Sequence, residues 1–359
     1  MCRACDASRR RFLQRLLWGG AALGAGFLFR GPKAEGAEKL RFSTWHPPLS
    51  RETTTVWTPM LEEIRRRSGG ALDYQLFAGG ALGKAPAHYD IVKNGLADMG
   101  YFTATFTPGR FPLTDVLSLA AWVDGKDLAV DIGRAVYERV LQEEFRDVHV
   151  IELNGCIQSF LWTRRPVGRM EDLRGMKIRT PGGHQSHYIR ALGGEPIFMP
   201  PGDVYLALES GTIDGIVTCP PVILAFKLQE VLRYGLITTF GCVSEGVVMN
   251  RRSWERLDET QRRWVAEVAS NPFRSTGGLT RREYPQMMAE IERAGVQTAE
   301  LPRPEAGRWF ERFQEVTRRW AEELEAKGLP ARRAVTVMDE ECARRNVQVV
   351  ACPPELRAK

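Results

Sequence analysis

The sequence lacks the short motifs of the common hydrolase, metalloprotease and nucleotide-binding sites. It has no His-Glu-x-x-His run, no Gly-x-Ser-x-Gly elbow and no P-loop. Histidines number only five, and no cysteine pair after residue 37 has metal-ligand spacing. An active site needs a nucleophile with its base and orienting group, or a metal. We therefore expect no enzymatic activity and no cofactor.

Two of the histidines, His184 and His187, lie three residues apart at the start of a predicted helix. One helical face can present both to a metal or a ligand. Two ligands without a third make a weak metal site, so we interpret both as hydrogen-bonding or solvated residues.

Cysteines are few and scattered. Two of the seven lie before residue 37, which leaves an odd number, five, in the rest of the chain. That count and spacing are not those of a disulfide framework. Buried free thiols and a disulfide between Cys342 and Cys352 in an oxidising compartment both stay open.

The N-terminal segment is predicted to be a leader. Arg9 and Arg10, followed by Arg11-Phe12-Leu13, are typical of a twin-arginine export signal. The apolar run at 16–29 is shorter than the roughly 20 residues of a spanning helix, and small residues at 34–37 suit cleavage. We expect export of the chain to the periplasm of a bacterium, with no stable membrane insertion after cleavage; an uncleaved anchor is the alternative.

The net charge excludes a basic patch for nucleic acid. The formal charge is +6, but residues 1–37 hold seven Lys or Arg and two Asp or Glu, a net of +5. The remaining chain therefore has 6 − 5 = +1, and we expect no nucleic-acid partner.

One stretch, residues 176–218, reads as strand, helix, strand, helix, strand with short connections. In its first strand Lys177 and Arg179 point to the face opposite Met176 and Ile178. Arg179 stands at the carboxyl end, before a Pro-Gly-Gly break, where ligands of open α/β sheets bind. A guanidinium fixed there can grip a carboxylate through two parallel hydrogen bonds. From spacing alone, a surface or salt-bridged arginine is the alternative.

The same stretch resembles the central motif of the solute-binding subunits of TRAP transporters, the DctP family. The resemblance lies in residues 172–181 (DLRGMKIRTP) and 203–215 (DVYLALESGTIDG). It implies a protein that captures a small organic acid and delivers it to the small and large TRAP membrane subunits. It also implies that Arg179 holds the carboxylate and that Asp214 is structural, binding turn amides. A ligand-sensing module that feeds a receptor is the alternative, and an exported enzyme is a third.

Residues 38–100 repeat the layout of 176–218, without repeating its sequence. Two such halves predict an α/β, two-domain periplasmic binding protein (type II-like), with crossover strands and C-terminal helices that brace the domains. We place the leader at 1–37, domain I at 38–155 and 244–283, domain II at 156–243 and 284–345, and a loosely held tail at 346–359.

Aromatic and polar side chains near predicted strand ends complete the candidate site. Each aromatic alone suits the core, but a mostly apolar pocket with one fixed charge suits a small acid. Some TRAP binding proteins have a second arginine, which the matched residues place near Ser159, where this chain has none. The stretch Val217-Thr218-Cys219-Pro220 also departs from the family, which has a different polar residue after Asp-Gly. These departures argue against a sialic-acid-like or dicarboxylate ligand. We predict ligand contacts from Trp45, Phe102, Ser159, Trp162, Arg179 and Thr218.

Overall fold

The computed structural model describes residues 38–276 and 281–357, so the predicted leader lies outside it. The strands form two sheets, ordered β2-β1-β3-β10-β4 and β11-β9-β5-β8-β6-β7. In chain order the strands are β1 (Glu38–Ser43), β2 (Leu72–Phe77), β3 (Met99–Thr103), β4 (Val148–Gly155), β5 (Phe160–Thr163), β6 (Lys177–Thr180), β7 (Glu195–Phe198), β8 (Gly215–Thr218), β9 (Tyr234–Ile237), β10 (Ser244–Asn250) and β11 (Gln297–Glu300).

Helices cover both sheets. A π-helical turn, Glu52–Trp57, leads directly into the first of them. The α-helices are α1 (Thr58–Arg67), α2 (His88–Lys93), α3 (Lys126–Val136), α4 (Gly183–Ala191), α5 (Val204–Glu209), α6 (Pro220–Ala225), α7 (Arg251–Arg256), α8 (Glu259–Ala269), α9 (Pro272–Thr276), α10 (Tyr284–Arg293), α11 (Arg303–Glu325) and α12 (Ala331–Ala343).

Alternation along β1 shows how the sequence fixes the first sheet. Leu40 and Phe42 are buried in the core beneath α1. Arg41 points to the other face, where its Nε lies 2.9 Å from a carboxylate oxygen of Asp98. Asp98 also accepts a hydrogen bond from Ser253, at the start of α7. Because side chains alternate along the strand, β1 contributes both to a buried core and to polar contacts between distant segments.

Three connections carry the chain between the sheets, and the third, from β10 to β11, runs through α7 to α10. The first joins β4 to β5, and the second joins β9 to β10. These first two run side by side, since Cys156 N–H donates to Val243 O (2.8 Å) and Ser159 N–H donates to Gly241 O (2.7 Å). The predicted crossovers are thus present as a paired ribbon. The exact domain boundaries stay a prediction.

The two long C-terminal helices brace the molecule as expected. α11 packs on α4 beside the second sheet, and α12 packs on α3 beside the first. On α11, Phe313 stacks on Tyr188, and Trp309 meets Phe240 edge to face. Within 38–276 and 281–357, no helix is both long and apolar enough to cross a membrane.

The segment at 346–359, predicted to be a loosely held tail, instead packs against the core over residues 347–352. Val349, Val350, Ala351 and Cys352 are buried against the core. Val349 forms a β-bridge with Ala121, and Gln314 of α11 donates a hydrogen bond to Val350 O. The apolar run Val347 to Cys352 has enough burial to offset the entropy of ordering the chain end.

Candidate ligand-binding site

A cavity lies between the two sheets, where the carboxyl ends of β1, β3, β6 and β8 meet. About 600 Å³ of it is free of protein atoms, part of that open to solvent. This is space for a small molecule and not for a macromolecule. Its lining includes Trp45, Glu52, Tyr101, Phe106, Lys126, Cys156, Ser159, Arg179, Thr218, Cys219 and Glu245.

Arg179 comes from β6 and is 2% exposed. Its Nε donates to Met199 O at 2.8 Å, and its Nη2 has no hydrogen-bond partner among the described residues. No carboxylate of 38–276 or 281–357 lies within 4.0 Å of the guanidinium. Burial lowers the pKa of Arg179 to about 9, so the group is still a cation at neutral pH. A buried, unpaired cation that faces a cavity is the site's main feature.

The break after β6 packs closely against the segment after β3. Gly182 has a φ of +104°, and a Cβ there would collide with the carbonyl oxygen of Thr105. Thr105 belongs to the segment after β3, in the other half of the molecule. Glycine at 182 therefore allows the segment after β6 to approach the segment after β3 closely.

Trp45 forms an aromatic wall of the cavity. Its indole N–H donates to Thr103 Oγ1 at 3.2 Å, and its ring stacks on His46 on one side. It also stacks on Phe226, which directly follows α6, with ring centroids 6.3 Å apart. Phe106 packs at an angle against it. The hydrogen bond and the ring contacts hold Trp45 before a ligand arrives.

A second buried cation, Lys126, is already paired. Its ammonium contacts the Glu245 carboxylate, and both side chains are under 5% exposed. The ammonium also lies 4.8 Å from the centre of the Phe273 ring and 3.4 Å from Asn154 Oδ1. Sequence reasoning missed this pair, because Lys126 begins α3 and Glu245 lies on β10, far away along the chain.

Three further polar side chains line the cavity. Glu52 is buried, one of its oxygens has no hydrogen-bond partner in the described structure, and burial raises its pKa to about 7. Ser159 and Thr218, both predicted ligand contacts, are buried in the wall. Ser159 lies on the first crossover and Thr218 ends β8.

Phe102 and Trp162, which we predicted as ligand contacts, do not line this cavity. On β3 the neighbour of Phe102, Tyr101, faces the cavity, while Phe102 packs against Tyr89. Successive side chains of a strand point to opposite faces, so the prediction chose the wrong face. Trp162 lies behind the wall, where its indole N–H donates to Thr218 O at 2.9 Å.

Three other polar residues, His184, Asp214 and Arg164, do not line the cavity. His184 is fully buried, its Nδ1 lies 3.1 Å from Asp115 O, and burial lowers its pKa to about 3. Asp214 accepts from the backbone N–H of Lys177 at 2.8 Å, which ties β8 to β6. Arg164 is exposed. Among the described residues, no group of three or more His, Cys, Asp or Glu side chains is arranged to hold a metal.

Two α/β sheets joined by paired crossovers, with a ligand-sized cavity and one unpaired cation between them, define a solute-binding protein. The chain belongs to the bacterial extracellular solute-binding protein family 7 (DctP), whose family model matches residues 42–323. The predicted resemblance to TRAP solute-binding subunits is therefore confirmed, as is the predicted fold class.

Similar proteins agree with this assignment. A solute-binding protein of Albidiferax ferrireducens is 21% identical over 270 residues, which cover 72% of this chain and 77% of the relative. A marine metagenome TRAP protein specific for aromatic acids, solved with 3-hydroxybenzoate, superimposes with a TM-score of 0.80 at 21% identity, covering 86% and 99% of the two chains. A TRAP protein of Rhodoferax ferrireducens, solved with copurified benzoate, gives 0.79 at 22% identity, covering 86% and 98%.

Proposed function

We propose that this protein works in the periplasm, where it captures a small acid with a single carboxylate and a compact apolar body. It then delivers the acid to the membrane subunits of a TRAP transporter. The observation that carries the proposal is Arg179, a buried cation with a free Nη2 in a cavity between two sheets. Its planar fork matches a carboxylate in shape and charge.

The charges around the cavity support one carboxylate and not two. Lys126 is neutralised by Glu245. Glu52 is another acid in the wall, so it opposes a second negative charge when ionised and offers no compensation when protonated. Arg179 is thus the one cation of the lining that is left without an ion-pair partner among the described residues. Burying a second, unpaired carboxylate there is costly.

The aromatic wall supports a flat or compact body on the acid. Trp45 and Phe106 present ring surface to the same cavity as Arg179. Benzoate and 3-hydroxybenzoate, found in two proteins of the same fold, combine one carboxylate with such a body. They are suitable first probes for this chain.

The test is calorimetry of the purified protein with matched acids. We expect benzoate or 3-hydroxybenzoate to bind at least tenfold more tightly than isophthalate, which adds a second carboxylate to the same ring. Tighter binding of isophthalate would overturn the single-carboxylate proposal. Binding of aliphatic monocarboxylates with no binding of any aromatic acid would leave the anchor in place but refute the aromatic wall as a ligand contact.

The matched control is Arg164→Ala. Arg164 is exposed and does not line the cavity, so its removal tests whether the loss of any arginine weakens binding. Binding should be unchanged in this variant and lost when Arg179 is changed.

A further inference from the structure

Two cysteines in the cavity wall lie close enough to react with each other. The Sγ atoms of Cys156 and Cys219 are 3.4 Å apart, and both residues are buried where they line the cavity. Cys156 lies on the first crossover between the sheets, and Cys219 follows the last residue of β8. All five cysteines of the described chain are free thiols in the structure.

The surroundings make the two thiols unequal. The two sulfurs share a hydrogen bond, and Lys126 adds a positive charge nearby, so the pKa of Cys156 is lowered. The same hydrogen bond, together with burial, raises the pKa of Cys219. A thiolate is the nucleophile in thiol–disulfide exchange. Cys156 is therefore the attacking sulfur, and Cys219 is the thiol that resolves the mixed disulfide.

We propose that Cys156 and Cys219 are a reversible disulfide site in the wall of the ligand cavity. The oxidant is a disulfide compound, the class of oxidant that extracytoplasmic compartments use. The Cys156 thiolate attacks one sulfur of that disulfide, forms a mixed disulfide and releases one thiolate. Cys219 then loses its proton and attacks the Cys156 sulfur, which releases the second thiolate. Two protein thiols become one disulfide, and one oxidant disulfide becomes two thiols.

The geometry needs only a small adjustment to form the bond. A disulfide requires the sulfurs to approach to about 2.05 Å, and the two side chains already face each other in the same wall. The bond would join the first crossover to the end of β8, next to Thr218. The pairing itself does not depend on which ligand the cavity takes.

The remaining cysteines serve as internal controls. The Cys242 thiol, although in the same cluster, donates to Leu117 O at 3.0 Å, and its pKa is raised by burial. Burial also raises the pKa of Cys352, to about 12, and that of Cys342. These three thiols should react more slowly than Cys156 in the folded protein.

The experiment treats the reduced, folded protein with hydroxyethyl disulfide, blocks free thiols with N-ethylmaleimide and maps the peptides. We expect a peptide that links Cys156 to Cys219, in both the natural chain and the Cys242→Ser control. In Cys219→Ser the mixed disulfide should persist on Cys156, because the resolving thiol is gone; Cys219→Ala gives the same readout if the serine variant does not fold. Recovery of Cys156 and Cys219 as free thiols, or a link that runs through Cys242 instead, would overturn the proposal.

Discussion

Replacing Arg179 by methionine separates a ligand anchor from a structural arginine. Methionine is an unbranched apolar residue of similar volume, and it removes the charge and the fork. A lost partner in a buried charge pair costs about 2–5 kcal/mol in binding, which is roughly 30-fold to 4,000-fold in Kd. Arg179→Lys should recover only part of this, since an ammonium cannot make the two parallel hydrogen bonds.

The same change should not harm the protein without ligand. Keeping the buried charge is costly, as the pKa of Arg179, lowered to about 9, indicates. Replacing a buried ion pair by hydrophobic groups of similar volume is often neutral or stabilising by about 1–4 kcal/mol, and an unpaired buried cation lacks even the attraction that such a pair has. Loss of the hydrogen bond from Nε to Met199 O reduces that gain in stability by about 1 kcal/mol.

Two assays on one sample test the predicted loss of binding and the predicted unchanged or higher stability. Calorimetry with benzoate measures the loss of binding, and urea unfolding without ligand measures the stability. We expect Arg179→Met to lose binding while its free energy of unfolding stays equal or rises. A variant that is destabilised by more than about 2 kcal/mol and still binds benzoate within a few-fold of the natural protein would show that Arg179 is structural and that the anchor lies elsewhere.

Three further predictions concern stability, motion and export. Burial raises the pKa of Glu152 to about 8 in the folded protein, above its unfolded value of about 4.5, so its contribution to stability is full below about pH 4.5 and is lost as pH rises through 8. Glu152→Gln should therefore match the natural protein at pH 4 and exceed it at pH 9 by on the order of a few kcal/mol in urea titrations; an equal difference at both pH values would contradict this. Because Arg179 is only 2% exposed, a ligand needs the two sheets to part at the crossovers, so small-angle scattering should show a smaller radius of gyration with saturating benzoate than without, and identical curves would indicate a rigid cavity. Changing Arg9 and Arg10 together to lysine should leave precursor in the cytoplasm on cell fractionation, whereas normal export through the folded-protein pathway would remove the proposed twin-arginine signal.

The parts of the fold that could be predicted from the sequence are those that depend on residues close together in the chain. Arg179 was placed correctly at the end of β6 because the alternation of Met176 and Ile178 with charged residues, followed by a Pro-Gly-Gly break, is contained in a few residues. The strand β2, Leu72–Phe77, likewise has a local signal in the sequence. Its alternation is regular, and glycines precede it and follow it.

The parts that it missed depend on contacts between distant segments. Choosing Phe102 rather than Tyr101 is an error of one residue in the phase of β3, and one residue moves a side chain to the other face of a sheet. Lys126 carries no signal of its own, since its partner Glu245 becomes its neighbour only after β10 returns to the first sheet. For the C-terminal segment a signal existed, because Val349 and Val350 are apolar residues of the kind that cores contain.

Native mass spectrometry of the protein from the periplasm, released without denaturation, is the most direct test that Arg179 holds a captured small acid. The natural protein should carry a fraction of molecules with one extra small mass, lost on mild unfolding and identified as a monocarboxylic acid. Arg179→Met, prepared in the same way, should carry none, and Arg164→Ala should carry as much as the natural protein. An identical bound acid in Arg179→Met would contradict the central role given to this arginine.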